Sequence, residues 1–232
     1  MTVYKLKKFI LLLVLFTGVG STCRAEGNLP FVDQKLIHFG FLLGINVMDF
    51  KVNPNDNARV SIEEPGFTVG IISDLRLNRY LNLRFIPTLH FGERALSYPF
   101  KVKIDADSIS SVNISSIPIC FPLFLKYSAE RKGNFKPYLI GGVGVSYDLA
   151  TNANADNPIT LKPLNVYTEF GVGCDIYFSF FKLSPEIKYS LGFNNMLVPL
   201  SDRAGLTGEK TRFTTAISQL TSRMLTLTFN FE

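Results

Sequence analysis

The first residues to consider for chemistry are the two histidines, since histidine is the side chain best suited to acid–base work near neutral pH. His90, together with Asp175, Glu186 and one of several serines, has the residue types of a hydrolytic site in which a base activates a hydroxyl group. His38 and His90 stand on separate segments and lack the spacing of metal ligands. We therefore expect each histidine to be an interior, hydrogen-bonded residue, and we expect neither a metal site nor catalysis.

A second candidate site consists of ionisable side chains that recur within otherwise apolar segments. Its members are Arg84, His90, Glu169, Asp175, Glu186 and Lys188. Acids and bases of this kind could form a proton path or a binding cluster. Buried charges need partners whatever the function, so the sequence favours a structural ion-pair network.

Other motifs of chemical interest have simpler interpretations. Gly141, Gly142 and Gly144 resemble a phosphate-binding loop only superficially, because neither a Lys-Ser or Lys-Thr pair nor a following helix accompanies them. Cys120 and Cys174 lie in apolar segments and support neither a disulfide framework nor a zinc site. We expect strand curvature from the glycines and no cofactor.

The segments that must position these residues have a hydrophobic period of two, which indicates β-strands. The fourth segment is apolar on both faces and is the least regular. The eight predicted strands cover approximately residues 37–47, 67–74, 81–92, 117–127, 139–149, 169–178, 183–194 and 224–231.

The charged residues decide which face of each strand meets lipid. An Arg or Lys at the centre of a bilayer costs roughly 2–4 kcal/mol, so Arg84, Glu169, Asp175, Glu186 and Lys188 must point inward. Most strand glycines fall on the same face, as a narrow barrel requires. The sequence thus predicts an all-β, eight-stranded, antiparallel transmembrane up-and-down barrel, its interior filled by side chains and without an open pore.

The N-terminal segment has the plan of a secretory signal peptide. Basic residues precede an apolar run at 9–16 and a stretch of small residues, so we expect residues 1–25 to be removed by cleavage after Ala25. Residues 26–232 then form the barrel domain. Cys23 lacks the Leu three positions earlier that is usual at lipid-modified cysteines, because Gly20 occupies that position.

The net charge does not indicate a nucleic-acid partner. The formal charge is +5, but four basic residues lie in the signal segment and their removal leaves +1. No other run of 18 or more apolar residues could form a spanning helix.

The predicted connections alternate in length, as they do in outer-membrane barrels. Long polar connections at 51–65, 93–112, 151–163 and 195–222 are expected outside the cell, and short ones near 77–79, 128–136 and 180–182 in the periplasm. Aromatic residues near the short turns could form an interfacial belt. These are Tyr80, Tyr127, Tyr138, Tyr177 and Phe181.

The order and spacing of the strand motifs resemble the PorT family of the type IX secretion system. The matching runs are FGF at 39–41, MDF at 48–50, GIISDLRL at 70–77, NLRFIP at 82–87, FGER at 91–94, PYLIGGV at 137–143, YTEFGVGCD at 167–175 and SPEIKY at 184–189. The resemblance implies a role in moving cargo proteins with a C-terminal sorting domain across the outer membrane, with lipid and other secretion proteins as partners. Glu232 departs from the aromatic residue that often ends such barrels.

Two other functions fit the strand pattern. A soluble lipocalin-like carrier also has eight alternating strands, but its apolar face would turn inward around a ligand. A barrel enzyme acting on lipid or peptide would use His90. We expect a non-enzymatic membrane protein with neither a nucleic-acid partner nor a small-molecule substrate.

Overall fold

The structure is a computed structural model, and it describes residues 29, 32–54, 59–61, 65–104, 107–150, 161–198 and 217–232. Within these residues, a short 3₁₀ helix, Val32–Gln34, precedes eleven strands. These are β1 (Ile37–Pro54), β2 (Arg59–Ser61), β3 (Gly66–Arg76), β4 (Leu81–Phe85), β5 (Thr88–Ile104), β6 (Asp107–Ser116), β7 (Pro118–Ser128), β8 (Phe135–Asp148), β9 (Leu164–Tyr177), β10 (Lys182–Gly192) and β11 (Ile217–Phe231). The predicted signal peptide, with Cys23 and Ala25, lies outside the described residues.

The strands close into an antiparallel barrel whose wall has eight positions. The order around the wall is β1, β11, β10, β9, β8, β7, the pair β4 and β5, then β3, which returns to β1. Closure is visible at Phe41, which faces Phe231 on one side and Ile71 on the other. The predicted fold class and strand count are confirmed.

Strands β4 and β5 share one wall position and are separated only by Ile86 and Pro87. Pro87 has no N–H to donate, but its carbonyl accepts a hydrogen bond of 3.1 Å from the amide of Ile71 on β3. The wall therefore stays closed across the interruption.

The two faces of the wall differ in polarity as the alternation predicts. Apolar side chains such as Phe39, Ile71 and Val143 are exposed on the outside. Strand β7, whose two faces looked alike in sequence, alternates strictly, with Leu123 and Leu125 outside. This is the reverse of a lipocalin-like carrier, since the apolar face is the outer one. Among the described residues, no helix has the length and apolar character needed to cross a membrane.

Two tyrosines predicted for the interfacial belt point inward instead. Tyr138 and Tyr177 are buried, whereas Tyr127 and Phe181 are exposed near the short turns as expected. The ring of Tyr138 lies over Gly173, its cross-strand partner, and Tyr167 lies over Gly144 in the same way. Each glycine leaves room for a bulky ring, so these pairs fix the register of β8 against β9.

The long connections are shorter than the sequence suggests, because strand pairing continues past the apolar segments. Strands β5 and β6 form a hairpin through most of the predicted connection 93–112, with Arg94 facing Ile114. Strand β1 stays paired to Pro54, opposite Ile217 on β11. Continued pairing satisfies backbone groups that a loop would have to satisfy with water. Residues 151–160, in the third connection, lie outside the described residues.

Candidate functional site: the charged interior of the barrel

The barrel interior holds a network of ion pairs on the inward faces of β3, β4, β7, β9 and β10, completed by Glu232. Inward positions recur every second residue along each strand, so charged side chains at inward positions of neighbouring strands can lie at a similar depth. The network contains Asp74, Arg84, Lys126, Glu169, Asp175, Lys182, Glu186, Lys188 and Glu232.

Arg84 is the centre of the network and is fully buried. Its guanidinium lies 2.7 Å from the carboxylate of Asp74, 2.8 Å from that of Glu232 and 3.7 Å from that of Glu186. Asp74 also accepts a hydrogen bond of 2.6 Å from Asn82. Three carboxylates around one planar cation use the donor geometry that distinguishes arginine from lysine.

Asp175 forms the second centre and also accepts from several donors. Lys126 donates to both of its oxygens, at 3.0 and 2.7 Å, and Ser184 donates at 2.6 Å. Lys182 lies 4.0 Å from Asp175 and 2.8 Å from Glu232. Lys182 and Glu232 therefore connect the Asp175 group to the Arg84 group.

The third part of the network surrounds Lys188. Its ammonium group is 3.3 Å from Glu186 and 3.7 Å from Glu169. Tyr138 donates a hydrogen bond of 2.7 Å to Glu186, and the ammonium of Lys126 lies 4.0 Å from the centre of the tyrosine ring. The inward-pointing Tyr138 thus connects two parts of the network through its hydroxyl and its ring.

The predicted site residues are brought together except for His90. Arg84, Glu169, Asp175, Glu186 and Lys188 belong to the network. His90 instead contacts the hydroxyl oxygens of Thr68, at 2.9 Å, and Thr88, at 3.1 Å. Among the described residues, His90 has neither a serine nor a carboxylate as a hydrogen-bond partner, and no group of ligands that could hold a metal ion is found.

Four members of the network lie outside the cluster that the sequence predicts. The predicted cluster omits Asp74, which ends the second predicted strand, and Glu232, which differs from the aromatic residue that often ends such barrels. Lys126 lies in the strand whose faces looked alike, and Lys182 was assigned to a short turn. In each strand every second side chain points inward. Extending this alternation to the strand ends would have placed all four charged side chains inside the barrel.

The barrel mouth at the short turns, formed by residues 77–80, 129–134 and 178–181, is contacted by the segment before β1. Asp33 accepts hydrogen bonds from Tyr177, at 2.7 Å, and Lys136, at 3.2 Å, and it lies 3.9 Å from Arg131. Burial alone would raise the pKa of the Asp33 carboxyl, but the Tyr177 hydrogen bond and the charge of Lys136 outweigh it. The pKa of Asp33 therefore lies below its ordinary value.

The arrangement favours a static interior. Four cations and five carboxylates alternate within the network, and every one of these side chains lies within ion-pair distance of an opposite charge. Such mutual neutralisation offsets the cost of removing the charges from water. In chemical terms the network can hold the strands in register.

Three solved structures are similar to this chain. Neisserial surface protein A (NspA) is 10% identical, with 84% of this chain and 98% of that chain covered and a TM-score of 0.43. OprG from Pseudomonas aeruginosa is 12% identical, with 84% and 91% covered and a TM-score of 0.40. The N-terminal barrel domain of Pseudomonas aeruginosa OprF is 12% identical, with 82% and 96% covered and a TM-score of 0.33.

A search of curated proteins found no match. A family model described as the outer membrane protein beta-barrel domain matches residues 27–198, which is most of the chain. The match includes every strand from β1 to β10, and β11 closes the wall against β1 and β10. The chain therefore belongs to the outer membrane protein beta-barrel domain family and is an outer-membrane β-barrel protein.

Proposed function

We propose that this protein is a non-enzymatic component of the type IX protein secretion system, needed for export of cargo proteins with a C-terminal sorting domain across the outer membrane. Its partners are outer-membrane lipid and other proteins of the secretion machine. Neither a nucleic acid nor a small-molecule substrate is part of the proposal.

The observation that carries the proposal is the PorT-like order of strand motifs, several of which lie on strands of the barrel wall. The run 70–77 lies on β3 and its end, 137–143 on β8, and 167–175 on β9. Several resembling residues, among them Asp74, Tyr138 and Glu169, are members of the interior network or contact it directly. The resemblance thus includes polar residues that make contacts inside the barrel, in addition to apolar positions that any barrel strand would have.

The interior network supports a role that is exerted through surfaces. Its charges neutralise one another, and its side chains are buried. A secretion component of this size would act by docking through its outer connections, its short turns or its lipid-facing wall. The hydroxyl partners of His90 favour a structural histidine over the hydrolytic base of a barrel enzyme.

The test is a clean deletion in the parent organism with complementation, scoring secretion of sorting-domain cargo. We expect cargo to accumulate in the periplasm while other outer-membrane proteins remain at normal levels, and we expect the wild-type gene to restore secretion. Normal secretion in the deletion strain would overturn the proposal and leave only the barrel.

A His90→Gln variant separates the proposal from an enzymatic role. Glutamine keeps hydrogen-bonding capacity toward Thr68 and Thr88 but cannot act as an imidazole base. We expect this variant to complement the deletion fully. A variant that restores secretion but has lost a hydrolytic activity of the wild-type barrel would support the barrel enzyme.

A further inference from the structure

Arg94 stands apart from the ion-pair network and faces a small cavity inside the barrel. It lies on β5, is 4% exposed, and points inward four residues beyond His90. One guanidinium nitrogen donates a hydrogen bond of 3.2 Å to the hydroxyl of Ser222, and the guanidinium carbon lies 4.6 Å from the centre of the Phe50 ring. The Nε and Nη1 groups have no hydrogen-bond partner among the described residues.

The other fully buried cations of the interior are neutralised by close carboxylates. Arg84, Lys126, Lys182 and Lys188 each have a carboxylate oxygen within 3.3 Å. In the part of the chain that the structure describes, no carboxylate lies within ion-pair distance of Arg94. A buried guanidinium without an anion is costly, because it loses hydration and gains no opposite charge.

The cavity beside Arg94 has a polar lining and room for a small ligand. Its volume is about 30 Å³, and the side chains that line it include Ser146, Asn165, Tyr167 and Ser190. About two water molecules fit such a space. Asn165 is buried, and its side-chain oxygen has no partner among the described residues.

One acid also lines the cavity, but its oxygens are engaged elsewhere. Asp148 accepts hydrogen bonds from the hydroxyl of Ser116 and from the backbone N–H groups of Ile117 and Ala150, the latter two at 3.0 Å. Three donors hold this carboxylate toward the ends of β6 and β8. Among the described residues, the positive charge of Arg94 therefore has no direct counter-ion in the cavity.

We propose that the Arg94 cavity binds a small monovalent anion, such as formate or a halide. The ligand would accept hydrogen bonds from the unpartnered N–H groups of Arg94. Sulfate carries two charges and is strongly hydrated, so the single guanidinium of Arg94 offsets less of the cost of removing it from water. This site is separate from the ion-pair network and does not depend on the proposed secretion role.

The test uses the full-length barrel purified in detergent, with thermal unfolding followed by the gel mobility change between folded and unfolded barrel. Potassium formate is titrated against potassium sulfate of equal ionic strength. Formate is expected to give a saturable rise in Tm of about 3–6 °C at roughly tenfold excess over its Kd, whereas sulfate is expected to give only the non-saturable rise of a salt excluded from the protein surface.

Two substitutions connect the response to the cavity. Arg94→Met removes the donors at similar volume, and Asn165→Asp adds a negative charge to the lining with almost no change of shape. Both variants should lose the formate-specific rise. Arg79→Met, an exposed arginine at the opposite end of the barrel, should keep it.

A second measurement keeps the proposal testable if Arg94→Met does not fold. Crystals of the wild-type barrel soaked in sodium bromide should show an anomalous peak within hydrogen-bond distance of Arg94. The proposal is overturned by a formate response without a saturable component, or by bromide-soaked crystals in which water alone occupies the cavity.

Discussion

At the scale of single residues, Arg84 is the described interior cation with the most carboxylates around it, since those of Asp74, Glu186 and Glu232 lie within ion-pair distance. Replacing it with Met keeps a similar volume but leaves Asp74 with Asn82 as its remaining polar partner. An uncompensated buried carboxylate is strongly destabilising, so Arg84→Met should lower the free energy of unfolding by about 3–5 kcal/mol. Urea unfolding of the purified barrel in lipid vesicles measures this change.

The control for this prediction is Arg79→Met. Arg79 forms an exposed ion pair of 3.1 Å with Glu130, and such pairs contribute at most about 1 kcal/mol. The double variant Arg84→Met with Asp74→Asn should be less destabilised than Arg84→Met alone, because it removes the orphaned charge. Equal effects of Arg84→Met and Arg79→Met would contradict the central role of Arg84.

Asp33 makes a pH-dependent contact at the mouth formed by the short turns. Its pKa is lowered in the folded protein, so the contact contributes its full stability above the ordinary value of 3.8 and loses it as the pH falls through the folded pKa. Residues 32–36 should be ordered at pH about 6 and mobile once the pH lies below the folded pKa of Asp33. Amide ¹⁵N relaxation in micelles measures this, and Asp33→Asn should be mobile at both pH values.

At the scale of elements, alanine substitutions at two adjacent glycines of β8 are expected to affect stability differently. A Cβ at Gly142 would meet the backbone carbonyl of Leu123 on β7, whereas a Cβ at Gly141 would meet nothing within 4 Å. Gly142→Ala should therefore destabilise the barrel by about 1–3 kcal/mol through forced separation of β7 and β8. Gly141→Ala should be neutral or slightly stabilising, since alanine restricts the unfolded chain.

The comparison is made by refolding both variants into the same lipid vesicles and measuring folded yield and unfolding free energy. Both substitutions are Gly→Ala and lie one residue apart, so the difference in strand propensity between glycine and alanine cancels in the comparison. Equal folded yields and equal unfolding free energies of the two variants would show that β7 and β8 do not approach each other closely at Gly142.

Strand existence was predictable at this scale because each strand has a polar and an apolar face. Strand ends were not, since the hairpin of β5 and β6 continues beyond the apolar segments through backbone pairing that any residue type can make. The inward positions of Tyr138 and Tyr177 were missed for a related reason. Tyrosine suits both a membrane interface and a buried polar site, and only the parity of the strand decides between them.

At the scale of the whole molecule, barrel closure determines which charges meet. Arg84 on β4 reaches Glu232, which follows β11, and neither residue is near the other in sequence. Such pairs depend on the stagger between strands, which the hydrophobic period does not specify. The sequence could therefore predict that the interior is charged, but the individual partners required the closed structure.

The apolar outer wall of the barrel is expected to lie in the hydrocarbon of the membrane. Apart from Glu93 on β5, exposed charges in the described part of the chain lie near strand ends or in turns, as Lys51, Arg79 and Lys132 do, and the outer face between these positions is mainly apolar. Val143 lies near the middle of β8 and is 61% exposed. Val143→Arg should cost about 2–4 kcal/mol in bilayers because it places a cation in hydrocarbon.

Phe180→Arg is the matched substitution at the rim. Phe180 is 94% exposed in the turn between β9 and β10, where an arginine reaches water and costs about 0–1 kcal/mol. Unfolding in lipid vesicles should separate the two variants, and detergent micelles, with their thinner apolar layer, should reduce the difference. Equal stability of both variants in bilayers would mean that lipid does not cover Val143, and the placement of the membrane on the barrel wall would have to change.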